Sequence, residues 1–304
     1  PRRGRTPPQR TMNFGAAPAI VPSPAALAPP RRKTLLDTPA TSQAREPLAT
    51  NLTVPQRESL QRKIGFLALN IVQAGFFAFW TGFCVTCACV ALPFHRKLPL
   101  VMARRMWSPP LLWAAGVRLQ VQGLAHVPQD RPVIFVSNHQ SMIDIALVFK
   151  VLPVNLHFVL KKELAYAPFI GIFAWATGMI FVDRKNSKAA IASVRKVGAM
   201  VRQGRSIMAF PEGTRCREPK ILPFKKGIFV SALSAQVPVV PVAIEGAGRV
   251  LPSSGFAVRP SVVRISIGKP IFTEGMNERD RDLLIERAQS AVATMYEEIR
   301  LPPE

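Results

Sequence analysis

Pro132-Val-Ile-Phe-Val-Ser-Asn-His-Gln-Ser-Met-Ile-Asp144 is the stretch on which the fold turns. Its first five residues form a short apolar run rich in β-branched and aromatic side chains. Polar Ser137 and Asn138 interrupt it, and Met142, Ile143, Ile145, Ala146, Leu147 and Val148 resume the apolar character. The pattern predicts strand, turn and helix. It puts His139 in a turn at the carboxyl end of a strand, where open α/β sheets bind their ligands. A His held by a carboxylate on one ring nitrogen can take a proton with the other, and Asp144 stands five residues on. On an ideal helix residues five apart diverge by about 140°, so a contact between the two requires His139 to lie outside the helix, as the turn allows. Taken alone, the motif is matched evenly by a structural His.

Working outward, Ser206-Ile-Met-Ala-Phe210 is a second short apolar run, and it breaks at Pro211-Glu-Gly-Thr-Arg215. Gly213 permits a backbone conformation closed to other residues, and Arg215 can fork onto a phosphate with two parallel hydrogen bonds. Lys225, Lys226 and Gly227 follow. A solvated surface turn would explain this loop by itself; two polar loops at strand ends, one suited to protons and one to anions, fit a shared site better.

Further apolar runs at 117–121, 157–160, 179–182, 239–244 and 262–267 alternate with helical patterns near 164–176, 188–202 and 226–233. The expected fold is α/β with a mostly parallel central sheet flanked by helices. From 277 to 299, Leu284, Ala288, Ala291, Met295 and Ile299 share one face of an expected amphipathic helix.

The ordered blocks resemble the glycerolipid acyltransferases of the 1-acyl-sn-glycerol-3-phosphate acyltransferase type. Asn138, His139 and Asp144 match that family's first block. Lys161-Lys-Glu-Leu164 with Pro168, Phe169 and Gly171 is similar to the second, and Gly178-Met-Ile-Phe-Val-Asp-Arg184 to the third. Phe210 to Arg215 matches the fourth letter for letter, and Val237-Pro-Val-Val-Pro-Val242 resembles a last apolar block. The likeness covers roughly 117–268, and ordered blocks are more specific than any one motif. It implies transfer of a fatty acyl group from acyl-CoA or acyl-carrier protein to the 2-hydroxyl of lysophosphatidic acid, giving phosphatidic acid, with no further cofactor and no metal. It further implies His139 as general base, Asp144 as its orienter, and Arg184, Glu212, Gly213, Thr214 and Arg215 as acceptor-binding positions, with Lys161 a weaker candidate beside Lys162. Ser141 invites a rival acyl-serine route, but no G-x-S-x-G elbow is present, and helix capping suits it better. Other lysolipids, such as a lyso-ornithine lipid, are alternative acceptors. A non-catalytic lipid-binding protein and a hydrolase are the readings from other classes.

Composition supplies the setting. The 304 residues carry a net charge of +22, are 48% hydrophobic and have a mean hydropathy of +0.17, high for a purely soluble protein. Ile64 to Phe94 contains no Asp, Glu, Lys or Arg and exceeds the roughly 20 residues that cross a bilayer. With basic residues at both ends and no acidic residue between Glu58 and Asp130, a membrane-associated helical hairpin over 61–112, folded near Gly75 or Gly82, is expected ahead of a single span. The catalytic domain is then 113–304. The positive charge suits an anionic membrane surface and phosphate-bearing substrates; the basic residues form no nucleic-acid-reading motif. Residues 1–60 read as a disordered Pro/Arg-rich tail, an extension for which Met12 or a later Met is an alternative start. Their Arg-rich, acid-poor character suits organelle targeting, against which the prolines argue. Cys84, Cys87, Cys89 and Cys216 suggest no disulfide framework, consistent with a membrane protein whose site faces the reducing cytoplasm.

Overall fold

The computed structural model describes residues 54–183, 187–216, 218 and 220–300; most of the expected tail, 1–53, lies outside them. Seven strands form one sheet: β1 (Val117–Gln122), β2 (Ile134–Ser137), β3 (Leu156–Lys161), β4 (Ile180–Val182), β5 (Ser206–Ala209), β6 (Val239–Glu245) and β7 (Ser261–Ile267). Their order is β1-β7-β6-β2-β5-β3-β4, and every neighbouring pair is parallel except β6 with β7. Each strand coincides with one of the expected runs, and the central strands β2, β5 and β6 are buried along their whole length, as strands covered on both faces require.

The helices are α1 (Val54–Ala91), α2 (Leu98–Met102), α3 (Ser108–Ala114), α4 (Asp144–Val151), α5 (Ile170–Ala176), α6 (Ser187–Arg202), α7 (Gly227–Ala235), α8 (Ala247–Val250) and α9 (Arg281–Ile299). On one face of the sheet Phe135, Phe158, Met208 and Val240 pack with Leu147, Val148 and Phe149 of α4. On the other, Ile134, Val136, Ile207 and Ala209 pack with α6, α7 and α9 through residues such as Val201, Phe229 and Leu284. Adjacent strands β2 and β5 therefore send their following helices, α4 and α7, to opposite faces. That divergence opens a crevice at their carboxyl ends, the topological switch point where α/β sheets place ligands.

The apolar run does not fold back near Gly75 or Gly82 as expected; a helical hairpin forms instead between that run and the segment after it. α1 runs unbroken through Gly75 and Gly82, and the chain reverses over 92–97. α2, a π-helical turn (Ala103–Trp107) and α3 then run back along α1. Gln73 Nε2 donates to Ala114 O at 2.8 Å, and Trp107 Nε1 to Thr81 Oγ1 at 3.1 Å. Residues 62–91 are long and apolar enough to cross a membrane, yet only 17% of their most apolar window is buried. α1 is thus not a core helix. Its polar Asn70 is nonetheless anchored, accepting from Val258 N at 2.6 Å.

Two helical expectations shift in detail. The pattern over 164–176 divides into a 3-10 turn (Lys162–Tyr166) and α5, because Pro168 intervenes and Phe169 takes a left-handed φ of 60°. On α9 the buried stripe is Leu284, Ala288, Val292, Tyr296 and Ile299; Val292 and Tyr296 replace Ala291 and Met295.

Candidate active site

β2 lies between β5 and β6 in the sheet, so the loops after these three strands meet at one edge. Asn138 stitches two of them together: its Nδ2 donates to Ile244 O and its Oδ1 accepts from Ile244 N, each at 2.8 Å. His139 follows in the turn, and its Nδ1 lies 2.7 Å from Asp144 Oδ2. That same oxygen accepts the backbone N–H of Gln140 at 2.8 Å and of Ser141 at 2.9 Å. Asp144 is fully buried at the first position of α4, where the helix dipole favours a carboxylate. The arrangement holds the imidazole with Nδ1 as donor and leaves Nε2 as the acceptor.

The loop after β5 closes over the other side. The His139 ring stacks on Phe210, with centroids 4.1 Å apart and planes 16° from parallel. His139 N donates to Glu212 Oε1 at 3.1 Å, and Cys216 N donates to His139 O at 2.8 Å. Glu212 is 3% exposed. Burial pushes its carboxyl up to about 7, against the pull of the His139 and Leu222 backbone amides and with the Asp144 charge adding to the rise. Gly213 takes a φ of 74°, and a Cβ there would stand 2.6 Å from Lys225 Nζ.

An apolar cavity of about 350 Å³ adjoins the loop. Met142 and Ile143 line it from the His139 turn, Phe77, Cys84 and Val85 from α1, and Arg215 is the one charged group in its wall among the described residues. Phe173 and Ala174 of α5 also face it.

The structure thus brings His139, Asp144, Glu212 and Gly213 together and sets Arg215 beside the cavity. Thr214 is exposed. Lys161 forms an exposed ion pair with Glu163 at 3.2 Å, and Lys162 pairs with Asp183 at 3.3 Å. Arg184 lies outside the described residues. Ser141 is buried: its Oγ donates to Leu251 O at 2.6 Å and accepts from Ile143 N at 3.3 Å, which supports the turn leading into α4. No cluster of metal-ligating side chains occurs among the described residues. Sequence reasoning gives Phe210, Asn138 and Gln140 no role of their own; their partners come from other strands and from α9, which a linear reading does not connect.

The acyltransferase family model matches residues 118–245. Human 1-acyl-sn-glycerol-3-phosphate acyltransferase alpha is 31% identical over 227 residues, covering 73% of this chain and 80% of that protein. The 1-acyl-sn-glycerol-3-phosphate acyltransferase of Limnanthes douglasii is 34% identical over 165 residues, 54% of this chain and 58% of that one. The crystal structure of the 1-acyl-sn-glycerophosphate (LPA) acyltransferase PlsC from Thermotoga maritima superposes with a TM-score of 0.67 at 26% identity, covering 80% of this chain and all of the other.

Proposed function

The chain belongs to the 1-acyl-sn-glycerol-3-phosphate acyltransferase family, and from that footing we propose that it moves a fatty acyl group from a thioester to the 2-hydroxyl of lysophosphatidic acid, giving phosphatidic acid. The observation that carries the reading is the 2.7 Å contact of His139 Nδ1 with Asp144, in a turn whose Met142 and Ile143 line an apolar cavity. His139 Nε2 takes the hydroxyl proton as the oxygen attacks the thioester carbonyl. The tetrahedral intermediate then collapses, the C–S bond breaks, and the imidazolium returns its proton to the leaving thiolate. The amides of His139, Gln140 and Ser141 are already engaged by Glu212 and Asp144. They are therefore not the donors that stabilise the oxyanion.

The apolar cavity takes the acyl chain, and Arg215 together with Arg184 takes the acceptor phosphate. A Glu212 carboxyl pushed to about 7 is near half-protonated at neutral pH, which lessens its repulsion of an anionic headgroup. Acyl-CoA and acyl-carrier protein both fit as donor. The protein works at a membrane: α1 exposes Ile71, Val72 and Phe79, and Trp113, Tyr166 and Trp175 are each 82% exposed near it. Such aromatics favour the bilayer interface, and Arg96 and Lys97 at the hairpin turn, with Arg105 in the π-helical turn that follows, suit anionic headgroups on a cytoplasmic surface.

The test incubates purified membranes with a labelled acyl thioester and a panel of lysolipids. Transfer to lysophosphatidic acid, lost in His139→Ala, is expected. Free fatty acid as sole product indicates a hydrolase, equal use of a phosphate-free acceptor removes the arginines' role, and no transfer to any acceptor leaves a lipid-binding protein.

A further inference from the structure

Next to the His139 loop lies a second cavity, of about 370 Å³ and more polar than the first. Gln140, Glu245, Arg249, Ser253, Ser254 and Tyr296 line it, and Pro252 stands in the walls of both cavities. Gln140 is 9% exposed and its Nε2 is fixed on Tyr296 Oη at 2.9 Å. Its Oε1 has no hydrogen-bond partner among the described residues. An unpaired buried amide oxygen on a residue of the cavity wall calls for an N–H or O–H donor.

The charges say what that occupant is not. Arg249 clasps the buried Glu245 with Nη1 and Nη2 at 2.6 and 2.8 Å, and Glu218 adds a second carboxylate to the wall. Glu218 is itself paired with Lys220, so the charges are matched in pairs, and a phosphate monoester would have to break the Arg249–Glu245 clasp to find a cation in this wall. An uncharged chain of amides and hydroxyls meets no such cost. The placement says where the chain comes from. Gln140 directly follows His139, and Cys216, also in the wall, bonds the His139 carbonyl. The two walls share Pro252, so a molecule with an apolar tail in the first cavity and a neutral polar arm in the second would pass close to the His139 loop.

We propose that this second cavity binds the pantetheine arm of the acyl thioester, with Gln140 Oε1 accepting from one of its amides. The arm is common to acyl-CoA and acyl-carrier protein. The inference rests on the acyl-transfer reading and adds to it the side of the loop from which the donor enters.

Gly248 provides the test, because a Cβ there would stand 3.8 Å from Gln140 Cβ, an ordinary contact on a backbone without positive φ. Gly248→Leu fills the cavity beside Gln140. KM is measured for acyl-CoA, acyl-carrier protein, acyl-pantetheine and lysophosphatidic acid. A rise of about tenfold or more for every pantetheine-bearing donor, with the KM for lysophosphatidic acid unchanged, is expected. The wild-type preference between CoA and carrier protein identifies the carrier. Unchanged donor KM values, a rise for acyl-CoA but not acyl-pantetheine, or a rise for the acceptor alone would each overturn the assignment. Should Gly248→Leu fail to fold, Ser254→Trp on the exposed rim carries the same expectations. A wild-type protein that transfers from no donor to any acceptor refutes the acyl-transfer reading itself.

Discussion

Replacing Glu212 with glutamine should flatten the pH dependence of stability. The unfolded carboxyl ionises near 4.5 and the folded one near 7, burial being the main cause. Between those values the folded protein holds a proton that the unfolded chain has released, so raising the pH favours unfolding. The loss begins near pH 4.5 and is complete above pH 7. The gap corresponds to about 3 kcal/mol. For a domain of this size that is roughly 6–12 °C in Tm. The glutamine side chain keeps an oxygen for the His139 amide and cannot ionise. Thermal unfolding of the detergent-solubilised protein, followed from pH 5 to pH 8.5, should show the wild type losing that much relative to Glu212→Gln. The two should converge at the acid end. Parallel curves for both proteins would show that Glu212 is ionised at little cost, and the reasoning from burial would fail.

Ser141→Ala, which removes a buried hydroxyl bonded to Leu251 O, should cost about 1–3 kcal/mol in thermal or denaturant unfolding and keep most transfer activity. A folded variant without activity would restore the acyl-serine route. Gly213→Ala forces a side chain into a left-handed backbone and against Lys225; a penalty of about 1–2 kcal/mol and a raised KM for the acceptor are expected in melting and kinetic assays. Trp175→Glu, at an 82% exposed position, should weaken sedimentation with anionic vesicles while leaving Tm in detergent unchanged. Undiminished vesicle binding would remove α5 from the membrane-facing surface.

The sheet was legible because its central strands β2, β5 and β6 are buried on both faces and read as near-continuous apolar runs, while the edge strand β1, Val117-Arg-Leu-Gln-Val-Gln122, alternates and is largely exposed. The hairpin turn was misplaced for a physical reason. A glycine inside a helix costs only about 1 kcal/mol, which a long apolar helix absorbs, so Gly75 and Gly82 do not break α1. Gly82 is instead a packing position, where a Cβ would meet the Phe169 ring at 3.0 Å. The better signal was Pro93 within the reversal at 92–97. On α9 the periodicity was right and the face slipped, because Tyr296 reads as polar until its hydroxyl is seen bonded to Gln140. The His139–Asp144 pair could be anticipated from spacing plus a turn. The stacking on Phe210 could not, since it depends on β2 pairing with β5.

The hairpin and the chemistry are physically one construction. α1 turns Phe77, Thr81, Cys84, Val85 and Ala88 toward the apolar cavity and exposes Phe79, Phe83 and Val90 on its other side. The wall that would hold an acyl chain is thus the inner face of the helix that would lie in lipid. α5 repeats the arrangement, with Phe173 and Ala174 inward and Ile172 and Trp175 outward. Water is kept from the cavity only while both helices remain seated, and an apolar wall does so without any charge to desolvate. On the proposed function, membrane attachment and chain binding would draw on the same buried contacts, Asn70 with Val258 and Gln73 with Ala114 among them. The imidazole, by contrast, is held by Asp144 and Phe210, and the His139 backbone by Glu212. On the proposed function, strain in these two helices would alter which chain fits before it altered the His139–Asp144 geometry.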